Sequence, residues 1–244
     1  MKEVLKMIDK IKQLKTMISE SNNIVFFGGA GVSTESGIPD FRSKDGLYNQ
    51  KYKYPPEDIL SHTFFIENTE EFYKFYTDKL NSLKYEPNIT HFKLAELEKR
   101  GKLKAIITQN IDGLHHKAGS HVVYELHGSV LRNYCIKCHR EYSAEYVFGA
   151  TGIPKCTCGE IIKPDVVLYE EPLDDSVVEP AIDAISNADM LIVAGTSLTV
   201  YPASGFIRYF KGKYLVIINR DKTPYDEIAD LVINDSLGNV FKYL

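Results

Sequence analysis

No apolar run in this 244-residue chain approaches the length that crosses a bilayer. The longest uninterrupted aliphatic stretches are Met190–Ala194 and Leu215–Ile218, against roughly 20 apolar residues for a membrane-spanning helix. There is no basic excess either: 29 Lys and Arg stand against 33 Asp and Glu, for a net charge of −4. That balance gives no support for a nucleic-acid-binding surface. The first residues lack the basic start and apolar block of a secretory leader, because lysines are spread through them. Cysteine is scarce, with four in all. Hydrophobic residues at 44% and charged residues at 25% exclude a disordered or collagen-like chain. The expectation is a cytosolic protein of one medium domain, or a larger one with an insertion, burying about 70–75% of its unfolded surface.

Val4, Met7, Ile8, Ile11, Leu14 and Ile18 recur at three- and four-residue spacing, which predicts an amphipathic helix at the N-terminus. Its lysines read as a solvated face. Short aliphatic runs follow, each ending in small or polar residues. Ile24–Phe27 runs into Gly28-Gly29-Ala30-Gly31, Ala105–Ile107 into Thr108-Gln109-Asn110, and Val122–Leu126 into His127-Gly128. Leu191–Ala194 runs into Gly195-Thr196-Ser197, and Leu215–Ile218 into Asn219. Helix-compatible segments such as His91–Arg100 and Ser176–Asn187 separate most of these runs. Unbroken aliphatic strands alternating with helices predict an α/β fold, a parallel sheet covered on both faces. Ligands in such sheets sit outside the carboxyl ends of the strands, where every one of these polar clusters falls.

Two stretches break the alternation. Residues 38–88 are rich in aromatics and read as a helical insertion able to cover a site, with most rings filling its own core. Residues 129–164 hold all four cysteines. Cys135 and Cys138 enclose two residues, Cys156 and Cys158 enclose one, and seventeen residues separate the pairs. This is close to the four-cysteine zinc pattern, with a tighter second pair. Gly152 and Gly159 suit the tight turns of such a knuckle. Four thiolates leave no open position for water, so the metal would be structural. Free thiols or disulfides are the alternatives, and a cytosolic setting disfavours the latter. His139, beside Cys138, reads as solvent-facing rather than as a substitute ligand.

The glycine turn at residues 28–31 follows a strand and precedes polar, helix-starting residues, a pattern that would bring backbone N–H groups to a pyrophosphate. It fails the dehydrogenase fingerprint, because Thr34 stands where a third glycine would be and no acidic strand end follows about twenty residues later. Three further segments occur with it in order: Gly37-Ile38-Pro39-Asp40-Phe41-Arg42, Thr108-Gln109-Asn110-Ile111-Asp112-Gly113-Leu114-His115, and His127-Gly128. Together with the cysteine quartet, Gly195-Thr196-Ser197-Leu198 and Ile218-Asn219, they resemble the sirtuin family of NAD-dependent protein-lysine deacylases, in its bacterial form. The resemblance runs from about residue 20 to the C-terminus.

The resemblance implies a Rossmann-like NAD-binding domain from 1–37, 89–128 and 165–244, the insertion at 38–88 as a cofactor loop, and a zinc-binding module at 129–164. It implies that NAD is a co-substrate. Its nicotinamide–ribose bond breaks, the acyl-lysine carbonyl oxygen traps the sugar as an O-alkylimidate, and the products are nicotinamide, free lysine and O-acyl-ADP-ribose. His127 then matches the general base, the side chain best suited to that work near neutral pH, and Asn110 orients ribose and water. Gln109 would bind the ribose hydroxyls, while Asp112 and Ile111 would hold the nicotinamide carboxamide. Ala30, Gly31 and Thr34 would lie along the pyrophosphate; Phe41 would shield the sugar cation and Arg42 meet the phosphates. Gly195, Thr196 and Ser197 match phosphate or ribose contacts, Asn219 the adenosine ribose, and Ser236 and Leu237 the adenine end.

Acyl-lysine proteins are the implied partners, with neither nucleic acid nor membrane, and a monomer is the default expectation. Their peptides would add as a strand between Asp165–Glu170 and Leu198–Tyr201, lined by Val167, Tyr169 and Val200. Glu170 stands where the family usually has glycine, which would favour basic residues near the target lysine. The succinyl- and malonyl-removing branch carries Tyr-x-x-Arg, whereas this chain has Tyr73-Lys74-Phe75-Tyr76, favouring a neutral acyl group such as acetyl. Mono-ADP-ribosyl transfer from the same site is the nearest alternative, and a zinc-stabilised NAD sensor without turnover is a more distant one.

Overall fold

The computed structural model describes residues 2–40, 46 and 51–244, with the side chains of residues 2–4 left aside. Six parallel strands form the main sheet: β1 (Ile24–Gly28), β2 (Leu103–Thr108), β3 (Val123–Glu125), β7 (Met190–Ala194), β8 (Tyr214–Ile218) and β9 (Leu231–Ile233). Their order is β3-β2-β1-β7-β8-β9, and each neighbouring pair is parallel. The chain moves outward from β1 to β2 and β3, then returns to build β7, β8 and β9 on the other side. The loops leaving β1 and β7 therefore diverge, which opens a crevice at the carboxyl ends of these strands.

Burial on both faces explains the unbroken aliphatic runs. Along β1, Ile24 and Phe26 enter one core while Val25 and Phe27 enter the other; Ile192 and Val193 of β7 divide likewise. The first core is covered by α1 (Lys2–Glu20), through Ile11, Leu14 and Met17, and by α5 (Ile89–Lys99), through Leu94 and Leu97. The second lies under the helix Asp175–Asn187, through Ala181 and Ile185. The strands and long helices expected from periodicity are all present. Strand β9 at the far edge of the sheet was not anticipated.

The cysteine segment forms a separate three-stranded antiparallel sheet, ordered β5 (Glu141–Ser143), β4 (Gly128–Cys135) and β6 (Ile162–Val166). The described part of the insertion is helical: α2 (Pro56–Ile59), α3 (His62–Glu67) and α4 (Thr69–Lys79). Its rings do not make a core of their own, as expected, but share one with the cysteine segment. Phe65, Phe72, Tyr73 and Tyr76 pack in the same cluster as Val130, Cys135, Val147 and Ile162.

Candidate active site

A cleft of about 640 Å³ opens at the carboxyl ends of the parallel strands. Ala30, Gly31, Thr34, Gln109, Asn110, Ile111, Asp112, His127, Val167, Tyr169, Gly195, Thr196, Ser197, Val200, Asn219, Ser236 and Leu237 all border it. These are every predicted NAD, catalytic and peptide residue except Phe41 and Arg42, which lie outside the described residues.

The glycine turn answers to packing between two strand-end loops. Gly31 N–H donates to Gly195 O at 2.8 Å. A Cβ on Gly31 would come within 2.7 Å of Gly195 Cα, and one on Gly29 within 2.8 Å of Thr196 Cβ. Gly195 has φ +60, and a Cβ on it would come within 2.6 Å of Val32 N, so side-chain bulk is excluded from both loops. No α-helix begins after the turn as expected; two 3-10 turns, Ala30–Val32 and Thr34–Ser36, follow instead. Thr34 uses its hydroxyl to bond Gly31 O. The floor thus consists of closely apposed main chain without a helix N-terminus behind it.

Behind that floor lies a buried polar set. Asp112 accepts Ser33 Oγ–H on Oδ2 at 2.6 Å and Leu114 N–H on Oδ1 at 2.9 Å. Ser33 Oγ in turn accepts from Asn110 Nδ2 at 3.1 Å. Ser82, from the loop after α4, donates to the Asp112 carbonyl. Burial pushes the Asp112 carboxyl above its ordinary range, opposed by the Ser33 and Leu114 hydrogen bonds, while the charge of Glu125 adds to the rise. Ser33 was not among the expected site residues, since a serine in a glycine-rich turn carries no signal of what it meets 79 residues away.

His127 follows β3. Its Nδ1 lies 2.9 Å from Gln109 O. A carbonyl can only accept, so Nδ1 carries the proton and Nε2 keeps its lone pair in the neutral ring. Burial lowers the His127 pKa below its usual value, partly offset by that hydrogen bond. The result is a neutral, oriented imidazole at the cleft with one basic nitrogen free. Gln109 also donates through Nε2 to Thr196 Oγ1 at 3.2 Å, linking the β2 and β7 loops.

On the peptide side, Val167 N–H donates to His127 O at 3.0 Å. Tyr169 uses both main-chain groups against the insertion, donating to Leu60 O and accepting from His62 N–H. Glu170 adopts φ +74, the left-handed region that favours glycine. Its carboxylate accepts from Thr63 N–H and Oγ1–H at 2.9 and 2.8 Å, both on Oε2, so it is tied to the start of α3 while it borders the cleft. Tyr73 and Tyr76 are fully buried and absent from the cleft wall. Tyr73 donates to Ile162 O, and Tyr76 stacks on Phe72 and Phe148. Acyl preference is therefore not read from these two side chains.

The four cysteine sulfurs lie within 4.8 Å of one another, with Cys135–Cys158 and Cys138–Cys156 at 3.5 Å. Disulfide sulfurs stand about 2.05 Å apart, whereas tetrahedral zinc with bonds near 2.3 Å places them about 3.8 Å apart. Cys138 N–H donates to Cys135 Sγ and Cys158 N–H to Cys156 Sγ, an arrangement suited to thiolate ligands. Gly159 and Gly152 take positive φ, as such turns require. His139 has φ +57 and stands outside the cluster. The donor set fits zinc.

A family model described as the Sir2 family matches residues 29–202. The NAD-dependent protein deacetylase of Clostridium perfringens is 62% identical, the match covering 96% of this chain and 98% of that one. Its namesake from Clostridium acetobutylicum is 60% identical, over 97% and 98%. Among solved structures, a Sir2 variant with deacetylated p53 peptide and 3'-O-acetyl-ADP-ribose superposes at TM-score 0.88, with 38% identity and 96% of each chain covered. A Sir2–p53 peptide–NAD complex gives 0.85, also at 38% identity and 95% coverage of each. With the parallel sheet, the strand-end cleft and the cysteine quartet already in place, these likenesses have one meaning: the chain belongs to the Sir2 family.

Proposed function

We propose that this protein is an NAD-dependent protein-lysine deacetylase, yielding nicotinamide, O-acetyl-ADP-ribose and deacetylated lysine. The carrying observation is that His127 stands at the cleft with Nδ1–H bonded to Gln109 O, leaving Nε2 as the free base. NAD, when bound, supplies the scissile glycosidic bond and the electrophilic sugar. His127 Nε2 takes the ribose hydroxyl proton, a transfer that a neutral imidazole performs near pH 7 without first losing a proton of its own. Asn110 orients ribose and water, and its side-chain amide is held in place by Ser33. Asp112 keeps acceptor capacity beyond its two internal hydrogen bonds, since a carboxylate offers about four lone-pair sites. That capacity suits a carboxamide N–H, with Ile111 packing the ring.

Gln109 meets the ribose hydroxyls. Ala30, Gly31, Thr34, Gly195, Thr196 and Ser197 line the phosphates, Asn219 the adenosine ribose, and Ser236 and Leu237 the adenine. Phe41 and Arg42 keep the roles that the sequence suggests. Val167, Tyr169 and Val200 line the acyl-lysine peptide. Zinc on Cys135, Cys138, Cys156 and Cys158 contributes folding free energy and no chemistry. Four reduced thiols suit a reducing compartment, so the cytoplasm is the proposed location. Among the described residues no helix is long and apolar enough to cross a membrane.

Mass spectrometry of an acetyl-lysine peptide incubated with the protein, with and without NAD, tests the reading. Loss of the acetyl group with equimolar nicotinamide and O-acetyl-ADP-ribose is expected only with NAD. ADP-ribose left on protein, or NAD bound but unconsumed, would overturn it.

A further inference from the structure

Arg132, half exposed on β4, holds two carboxylates from different strands. Its Nη1 donates to Glu125 Oε2 at 2.6 Å and its Nε to Asp165 Oδ2 at 2.7 Å. Glu125 ends β3 two residues before His127, and its side chain is only 7% exposed. Asp165 lies on β6 two residues before Val167. One guanidinium thus joins the edge of the parallel sheet to the cysteine module, just behind the point where Val167 N–H meets His127 O. There is no slack at this crossing. Gly128 has φ +73, and a Cβ on it would come within 2.0 Å of Asp165 O. The neighbouring Leu131 crowds the turn after Asp112, its Cδ1 2.4 Å from where a Gly113 Cβ would be.

Ion pairs between exposed groups contribute little. Glu125 is different, because removing its cation leaves a buried carboxylate without a partner. That charge also bears on Asp112, whose carboxyl it helps to raise. We infer that Arg132 is a positioning residue: by neutralising Glu125 and drawing Asp165 to it, Arg132 fixes the spacing between His127 and the peptide-lining strand at Val167. The inference rests on the deacetylase reading, and on nothing that the family motifs supply, since Arg132 lies outside all of them.

The test compares Arg132→Met, Arg132→Lys and the double variant Arg132→Met/Glu125→Gln with the parent. Steady-state kinetics are run with an acetyl-lysine peptide and NAD, and amide hydrogen exchange is followed at Val167. Misplacement of reacting groups by an ångström costs up to about 100-fold, so Arg132→Met should lower kcat/KM for the peptide by about tenfold or more. KM for NAD should stay within about twofold, and Val167 should exchange faster. Arg132→Lys, which keeps a cation for Glu125, should recover part of the loss. The double variant, which leaves no buried charge behind but still lacks the link to Asp165, should fall between Arg132→Met and the parent. Parental kcat/KM and parental Val167 protection in Arg132→Met would overturn the inference. So would an equal loss in the NAD and peptide parameters with a lowered Tm and no recovery in Arg132→Lys. A parent that releases no nicotinamide sinks the deacetylase reading instead, and Val167 exchange then still decides the clamp.

Discussion

Ser33 gives its hydroxyl proton to Asp112 at 2.6 Å and accepts from the Asn110 amide at 3.1 Å. One small side chain, 1% exposed, therefore sets the orientation of two polar groups on a different loop. Ser33→Ala removes a donor from a buried carboxylate and an acceptor from a buried amide. Leaving such groups unpaired costs about 1–3 kcal/mol. Turnover should fall by about tenfold or more while the fold is retained, read as kcat together with the thermal midpoint. Unchanged kcat would show that Asn110 and Asp112 are held without it.

The acid limb of the reaction should sit low. The neutral form of His127 is the working base, and burial lowers its pKa, so base function is lost only as pH falls through a value below the ordinary 6.5. Asp112 must stay ionised, and its raised pKa moves its own loss of charge toward the same region. An NMR titration of the His127 imidazole separates the two contributions. A midpoint at or above 6.5 would contradict a buried neutral ring. His127→Ala should reduce turnover by about 10²–10⁴-fold and spare NAD affinity measured by calorimetry.

Removal of zinc should unfold more than the knuckle. Cys135 and Cys156 belong to the cluster that contains Phe65, Phe72 and Tyr73, so collapse of the cysteine module exposes the α3–α4 aromatics as well. Structural zinc supplies folding free energy directly. Chelation should abolish the near-ultraviolet signal of these rings and the activity with it, while metal analysis of the untreated protein gives one zinc per chain. Intact spectra and rate after complete chelation would remove the structural role.

Glu170 separates backbone strain from side-chain tethering. Both Glu170→Gly and Glu170→Ala lose the carboxylate tie to Thr63, but glycine is at ease at φ +74 whereas alanine keeps the strain. Glu170→Ala should therefore be less stable than Glu170→Gly by about 1 kcal/mol, measured by denaturant unfolding. Equal stabilities would mean that the left-handed conformation is not retained.

His91 and His115 form a buried pair with ring centroids 4.8 Å apart. Burial pushes His91 down to about 4 and His115 well below its usual value. In the unfolded chain both titrate near 6.5 and bind protons that the native state refuses. Their contribution to stability is complete above about 6.5 and drains away as pH falls toward the native pKa values. Unfolding free energy measured between pH 7 and 4.5 should decline, and His91→Gln should flatten the slope. A slope unchanged by that substitution would place the acid sensitivity elsewhere.

Local pattern was enough for much of this molecule. Doubly buried strands read as unbroken aliphatic runs because both faces meet apolar cores, and knuckle cysteines are near neighbours in the chain, so their spacing reports their geometry. Tyr73 and Tyr76 show where local pattern stops. Helical spacing placed them together, yet it could not say whether they faced the cleft or the core shared with the cysteine segment.

By itself the sequence determined the α/β class, the strand-end position of the polar clusters, the metal quartet and the order of the motifs, since each depends on residues close together in the chain. Only the tertiary structure decided that Gly29 and Gly31 pack against the Gly195-Thr196 loop, that Ser33 bonds Asp112, and that Arg132 joins Glu125 to Asp165. Those contacts depend on strand order, register and the depth at which loops pack, and none of these leaves a periodic trace along the chain.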